Sequence, residues 1–285
     1  MESPLENKIE EKKTNNSYEI IKLVGKTKKG EMLLVSYDLD KSGTKKNYLL
    51  KKIEVNSKKE KDKILEEVKL IKLIDSKFLI KIYDCFIENQ NQKEICCIIM
   101  DYYEYGNLES LINQKYSLNY RIIWRIFIQI ALGIKAFHKN NIIIKNLCPR
   151  NIFIDNERNI KIGGYGLTLD FTDEEYLNSL SLYTAPELLN GQDYTKKSDI
   201  WSLGVILYEL CFKRRPFQFL DNILKFNYEI ADNCESDLKY FLPKLLIQEK
   251  KRILINELLI DMRFKKKLIE VNLFEEIVEE NLKGK

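Results

Sequence analysis

Ile144-Lys145-Asn146-Leu147-Cys148-Pro149-Arg150-Asn151-Ile152 and, ten residues after Asn151, Lys161-Ile162-Gly163-Gly164-Tyr165-Gly166-Leu167 are the two segments on which the reading of this 285-residue chain turns. They offer amides at Asn146 and Asn151, a thiol at Cys148, a guanidinium at Arg150 and no side chain at Gly164; neither segment holds a carboxylate. Upstream, Ile123, Phe127, Ile130, Ile134 and Phe137 recur at spacings of three and four, the mark of one buried helix face, up to His138, the sole histidine, whose expected role is packing. Downstream, the run from Asp199 to Cys211 is apolar nearly all round and suits a helix at the centre of a helical lobe, with further helices near 235–248 and 253–261. Before residue 103 the period is shorter. Runs rich in Ile, Leu, Val and Tyr near 18–25, 31–37, 47–55, 79–87 and 95–102 predict five strands. One helix over 59–74 interrupts them, with Ile64, Val68, Ile71 and Ile74 on its buried face.

Composition sets outer limits. With 45% apolar and 32% charged residues the chain is too apolar for a disordered protein. Its 47 basic and 43 acidic residues are interspersed, which leaves no nucleic-acid footprint, so no nucleic-acid partner is expected. There is no 18-residue apolar run, so no membrane association is expected either. The six cysteines have neither zinc-ligand spacing nor the density of a disulfide scaffold, which fits reduced thiols in a soluble, cytoplasmic protein. The polar residues 1–17 read as a flexible tail, and 263–285, with Leu268, Val271, Leu273, Phe274 and Ile277 among many charges, as a helical extension.

Read in order, these segments resemble a protein kinase domain of the serine/threonine type. Gly25-Lys-Thr27-Lys-Lys-Gly30 resembles the glycine-rich loop, with Thr27 at its middle glycine position. Tyr48-Leu49-Leu50-Lys51 is similar to Val-Ala-Ile-Lys, and Glu67 falls where the ion-pair partner of that lysine belongs. Met100-Asp101-Tyr102 resembles the hinge. The segment from Ile144 to Asn151 aligns without a gap to His-Arg-Asp-Leu-Lys-Pro-Glu-Asn, Gly164-Tyr165-Gly166 stands for Asp-Phe-Gly, and Ala185-Pro186-Glu187 and Asp199-Ile-Trp-Ser-Leu-Gly204 follow. Arg252 stands where the family has the partner of Glu187. The resemblance implies an α+β bilobal fold: a five-stranded antiparallel sheet lobe with one helix over 18–102, a hinge near 100–106, and a larger helical lobe over 103–262. It further implies a nucleotide site at Gly25, Gly30, Leu49, Lys51, Glu67, Met100, Asp101, Tyr102, Asn151 and Phe153.

The departures concern the chemistry. In this family the catalytic-loop aspartate accepts the substrate proton and the Asp-Phe-Gly aspartate holds magnesium; the matching positions are Asn146 and Gly164. An amide cannot serve as a carboxylate base near neutral pH, a loss of about 10²–10⁴ in rate, and glycine has no ligand atom. Cys148 stands for the loop lysine and Leu180 for a threonine of the same polar cluster. No base stands near Cys148 in sequence, which favours an inert thiol over a nucleophile. Leu49 replaces the small alanine above the expected purine, with Phe153 on the floor beneath it, so ATP is expected to bind weakly at best and magnesium, with Asn151 as its only candidate ligand, not to bind. Ile71, Ile82, Tyr165 and Ile144 are expected to form an apolar column in a closed arrangement. Thr168, Thr172, Ser179, Ser181 and Tyr183 are expected in a fixed segment rather than a phospho-switch, because Lys145 replaces the arginine that clamps a phosphate. Three functions remain open: a pseudokinase acting as scaffold or allosteric regulator of a protein partner such as an active kinase, a divergent kinase with weak residual transfer, and an ATP sensor without turnover.

Overall fold

The computed structural model describes residues 18–27, 30–39, 42–163 and 182–271. The tail over 1–17, Gly164, Tyr165, Leu180, the four residues Thr168, Thr172, Ser179 and Ser181, and 272–285 lie outside them. The described residues fall into two compact units: 18–73 with 81–102, and 74–80 with 103–163 and 182–271.

In the first unit, β1 (Glu19–Thr27), β2 (Gly30–Tyr37), β3 (Lys46–Val55), β4 (Ile82–Gln90) and β5 (Lys93–Met100) form one antiparallel sheet in the order β1-β2-β3-β5-β4. Alternation along β3 divides its side chains between two faces. Tyr48 and Leu50 join Leu33, Val35, Phe86, Cys97 and Ile99 in one apolar cluster, while Leu49, Lys51 and Ile53 alternate onto the opposite face of the strand; the helix α1 (Lys58–Lys72) follows. That helix starts where Ser57 accepts a hydrogen bond from the Glu60 amide and Glu60 in turn accepts one from the Asn56 amide, so two amides that lack intrahelical partners are satisfied. Ile64, Val68 and Ile71 are its buried stripe; Ile74, expected on the same face, lies beyond the helix end and is only half-buried.

The second unit contains α2 (Leu108–Ile112), α3 (Tyr120–Lys139), the two-stranded ladder β6 (Ile152–Ile154) and β7 (Ile160–Ile162), then α4 (Pro186–Leu189), α5 (Lys196–Phe212), α6 (Leu220–Leu224), α7 (Ser236–Leu245), α8 (Ile255–Ile260) and α9 (Met262–Glu270). As its all-round apolarity predicts, α5 is buried continuously from Ser198 to Leu210. It packs closely enough on the end of α7 that a Cβ at Gly204 would lie 2.8 Å from Leu245 Cβ. The start of the expected extension is part of this unit: Phe264 of α9 packs edge-on against Trp124 and Phe127 of α3 and Phe241 of α7, and Lys267 pairs with Glu235 at 2.9 Å.

Of the strand boundaries that differ from the periodicity, two are set by hydrogen bonds to other segments. The fourth strand begins at Ile82 rather than 79, because the backbone of Phe78 and Ile80 is bonded to β7: Ile162 N–H donates to Phe78 O at 2.7 Å and Ile80 N–H to Ile162 O at 2.9 Å. The fifth ends at Met100 rather than 102. Asp101 leaves the ladder, its carboxylate accepting from Lys81 N–H at 3.0 Å and Tyr83 O–H at 2.8 Å. An apolar run alone cannot say which of two ladders its amides join.

Glu187 and Arg252 meet as the resemblance implies, with both guanidinium nitrogens on the carboxylate at 2.6 and 2.9 Å. Arg252 also donates to Lys197 O and Ile247 O and lies 5.0 Å from the Trp201 ring centroid. Removing one member would leave the other charged and buried, a loss of about 3–5 kcal/mol. Glu187→Ala is therefore expected to shift the urea unfolding midpoint strongly downward, and Arg252→Met, which leaves the same unpaired carboxylate but keeps apolar volume beside Trp201, to cost less than Arg252→Ala.

Candidate functional site

The candidate residues fall in both units. In the first, the ladder aligns Leu49 with Met100 across β3 and β5, and Lys51 with Met32 across β3 and β2. Leu49 and Met100 are both buried. Gly30 is required by close backbone approach, since a Cβ there would lie 1.8 Å from Lys52 O; at Gly25 an added Cβ would meet only the flexible end of Met32, at 2.9 Å. Burial holds the Lys51 ammonium down at about 8 from an ordinary 10.5, against the pull of Cys96 and Glu67. Glu67, the partner expected from the sequence, is one of the groups that favour the charged form of Lys51. Asp101 keeps its carboxylate on Lys81 and Tyr83, and Tyr102, next to it, is half-buried.

In the second unit the loop from Ile144 to Asn151 hangs on a carboxylate. Asp199, near the start of α5, accepts from Ile144 N–H at 3.0 Å and Lys145 N–H at 3.1 Å. It also receives a third contact, His138 Nε2 at 2.8 Å. A carboxylate can only accept, so the proton of this pair lies on Nε2, and His138 positions the loop rather than merely filling space. The helix that brings Asp199 there is set by a capping box between Thr195 and Ser198, with Thr195 N–H donating to Ser198 Oγ at 3.1 Å. Lys145 takes a left-handed backbone, φ 69°, and its side chain is exposed.

Beyond Lys145 the loop turns inward. Asn146 and Cys148 are buried, and Asn151 Nδ2 donates to Asn146 O at 2.9 Å, closing the loop on itself. The Cys148 thiol, 2% exposed, is pushed up to about 11 by burial, which keeps it protonated and inert near neutral pH. Arg150 is clamped on both oxygens of Glu109, at 2.8 and 2.9 Å. Phe153 pairs with Lys161 in the β6–β7 ladder and rests 6.4 Å from the Tyr103 ring. Of the segment before Glu187, Tyr183 is buried with its hydroxyl donating to Glu209 and Arg215 5.3 Å from its ring. A hydroxyl so engaged is not open to phosphorylation. Ile71, Ile82 and Ile144 are each buried within their own units, while Tyr165 and Gly164 lie outside the described residues.

The sequence singled out Asn146, Cys148, Asn151 and Lys51 but missed what holds them. His138 was read as packing, and the Tyr183–Glu209–Arg215 cluster not at all, because partners 61 and 26 residues apart leave no local signature.

Comparison with known proteins gives the same reading at the level of family. Residues 18–262 match the protein kinase domain. The chain is 32% identical over 257 residues to calcium-dependent protein kinase 4 of Plasmodium falciparum, 86% of this chain and 46% of that protein. It is 32% identical over 171 residues to serine/threonine-protein kinase Nek2 of Homo sapiens, 55% of this chain and 38% of that one. With serine/threonine-protein kinase Nek7 of Arabidopsis thaliana it shares 29% over 219 residues, 74% of this chain and 37% of that one. The chain therefore spans less than half the length of these curated relatives.

The depressed Lys51 ammonium makes a pH prediction with a definite sign. Between about 8 and 10.5 the unfolded state carries a proton that the folded state has lost, so folding stability attributable to this group rises with pH through that window, and its burial penalty is fully present below it. Lys51→Met should remove this contribution. The unfolding free energy of the parent minus that of the variant, measured by urea unfolding, is expected to rise from pH 7.5 to pH 10.

Proposed function

The chain belongs to the protein kinase family, and from that premise we propose that it is a pseudokinase, which acts by binding a protein partner and not by transferring phosphate. The observation that carries the reading is the residue type at two positions: Asn146 and Gly164 replace the two carboxylates on which the transfer chemistry depends. The environment of the loop supports it. Asn151, the remaining candidate metal ligand, donates its amide N–H to Asn146 O and has only one neutral oxygen, Oδ1, to offer a metal, and Cys148 supplies a neutral thiol where the family has a cation. Among the described residues no group of three His, Cys, Asp or Glu side chains could hold a metal ion. A magnesium ion that bridges phosphates needs carboxylate oxygens, and this donor set of amides does not fit it.

Lys51 and Glu67 favour a second reading, a nucleotide sensor that binds ATP without metal and without turnover; the paired lysine and glutamate could still receive a phosphate. Leu49 opposes tight binding, since its additional carbons overpack a purine by about 1–3 kcal/mol, or one to two orders of magnitude in affinity. The partner we propose is a protein, such as an active kinase, in the cytosol. No helix among the described residues is long and apolar enough to cross a membrane.

Three measurements on the purified chain separate the readings. A phosphotransfer assay with a generic protein substrate is expected to give no signal above that of Lys51→Met, and turnover at an ordinary kinase rate that is abolished by Lys51→Met would overturn the proposal. Thermal-shift titration with ATP is expected to be the same in magnesium and in a chelator. Leu49→Ala is expected to tighten ATP binding about ten- to a hundredfold; an unchanged affinity would show that Leu49 does not limit the site.

A further inference from the structure

The second unit carries, away from the candidate site, a helix face that the described residues leave open. The inner side of α9 is occupied: Phe264 and Leu268 are buried, and Lys267 pairs with Glu235, Asp237 and Glu270. On its outer side Met262, Lys265, Lys266 and Ile269 stand at i, i+3, i+4 and i+7, one stripe in which Met262 and Ile269 lie in line with a lysine on either flank. Met262 is 78% and Ile269 59% exposed. Neither Lys265 nor Lys266 forms an ion pair with another described residue, and both are exposed. Such a face fits an occupant of complementary pattern: apolar side chains at helical spacing, flanked by carboxylates.

The chain supplies that pattern directly after α9. Phe274, Ile277, Val278 and Leu282 fall at i, i+3, i+4 and i+8, a single helix stripe, and Glu275 and Glu280 fall on its two sides. We propose that residues 272–285 fold back as an amphipathic helix and dock in cis on the Met262 and Ile269 face of α9. The starting point is fixed, since Val271 is buried and ends α9 with φ −97° and ψ 5°. The length suffices. From Met262 to Ile269 the face runs about 10 Å, and a reversal of about two to five residues leaves roughly 13 Å of helix or more to run back along it. In an antiparallel pair Leu282 arrives over Met262 and Phe274 over Ile269, while the flank of Glu275 meets that of Lys266 and the flank of Glu280 that of Lys265. A second copy, or any other protein, would compete with a segment tethered at the edge of the face, whose effective concentration is about millimolar.

Hydrogen exchange followed by mass spectrometry on the full chain tests this without nucleotide, metal or partner. The amides of 275–282 are expected to exchange about ten- to a hundredfold more slowly than those of an unstructured peptide, and equally so at low and high protein concentration. Ile269→Glu, a change at an exposed position, is expected to return them to the unstructured rate while α3 and α5 keep their protection; Met262→Glu gives the same reading should the first variant unfold. Lys266→Glu is expected to weaken the protection, and Glu275→Lys added to it to restore it, a rescue that a general loss of stability would not produce. Exchange of 275–282 at the unstructured rate in the parent would overturn the proposal, as would protection that Ile269→Glu and Met262→Glu leave intact, or a Lys266→Glu loss that Glu275→Lys does not repair. Protection that rises with concentration, together with the mass of a dimer, would give the face to a second copy and overturn docking in cis.

Discussion

One buried carboxylate, that of Asp199, holds the arrangement on which the second unit's candidate site rests. It accepts two backbone amides from the loop and one imidazole N–H from the end of α3, so the centre of the unit, its longest helix and the loop share one acceptor. A buried carboxylate is tolerated only when its oxygens are satisfied, and three donors do so. The loop is therefore fixed by its backbone, independently of its side chains. This is why Asn146 and Cys148 can stand where a kinase has an acid and a base while the loop keeps its path.

The same separation of framework from chemistry runs through the rest of the chain. The Glu187–Arg252 pair, fully withdrawn from water, joins α4 to the segment before α8 and supports the aromatic packing around Trp201. Gly30 keeps the close approach to Lys52 that its strand pairing demands. What differs from the family's pattern are side chains that would act on substrate, metal or nucleotide.

In the first unit Lys51 connects several of these features. Burial, which favours its neutral amine, competes with the electrostatic pull of Glu67 on α1 and of Cys96 on β5. The proposed phosphate reception at Lys51 follows from a cation placed in a confined layer between sheet and helix, where its field is less screened than at the surface.

The sequence by itself determined the family, the five strands, the longer helices and their order, because periods of two and 3.6 and the motif spacing are local properties of the chain, whereas the short helices α2, α4 and α6 left no such period. It also determined that two carboxylates are absent, since residue identity needs no coordinates. Tertiary structure alone decided where strand pairing switches partner at Phe78–Ile80, that His138 is a hydrogen-bond partner of Asp199 and not packing, that Tyr183 is sealed against Glu209, and that Cys85 and Cys96 face each other. Each of these depends on contacts between residues that chain folding brings together from different elements, and hydrophobic pattern carries no record of which polar group a distant donor will meet.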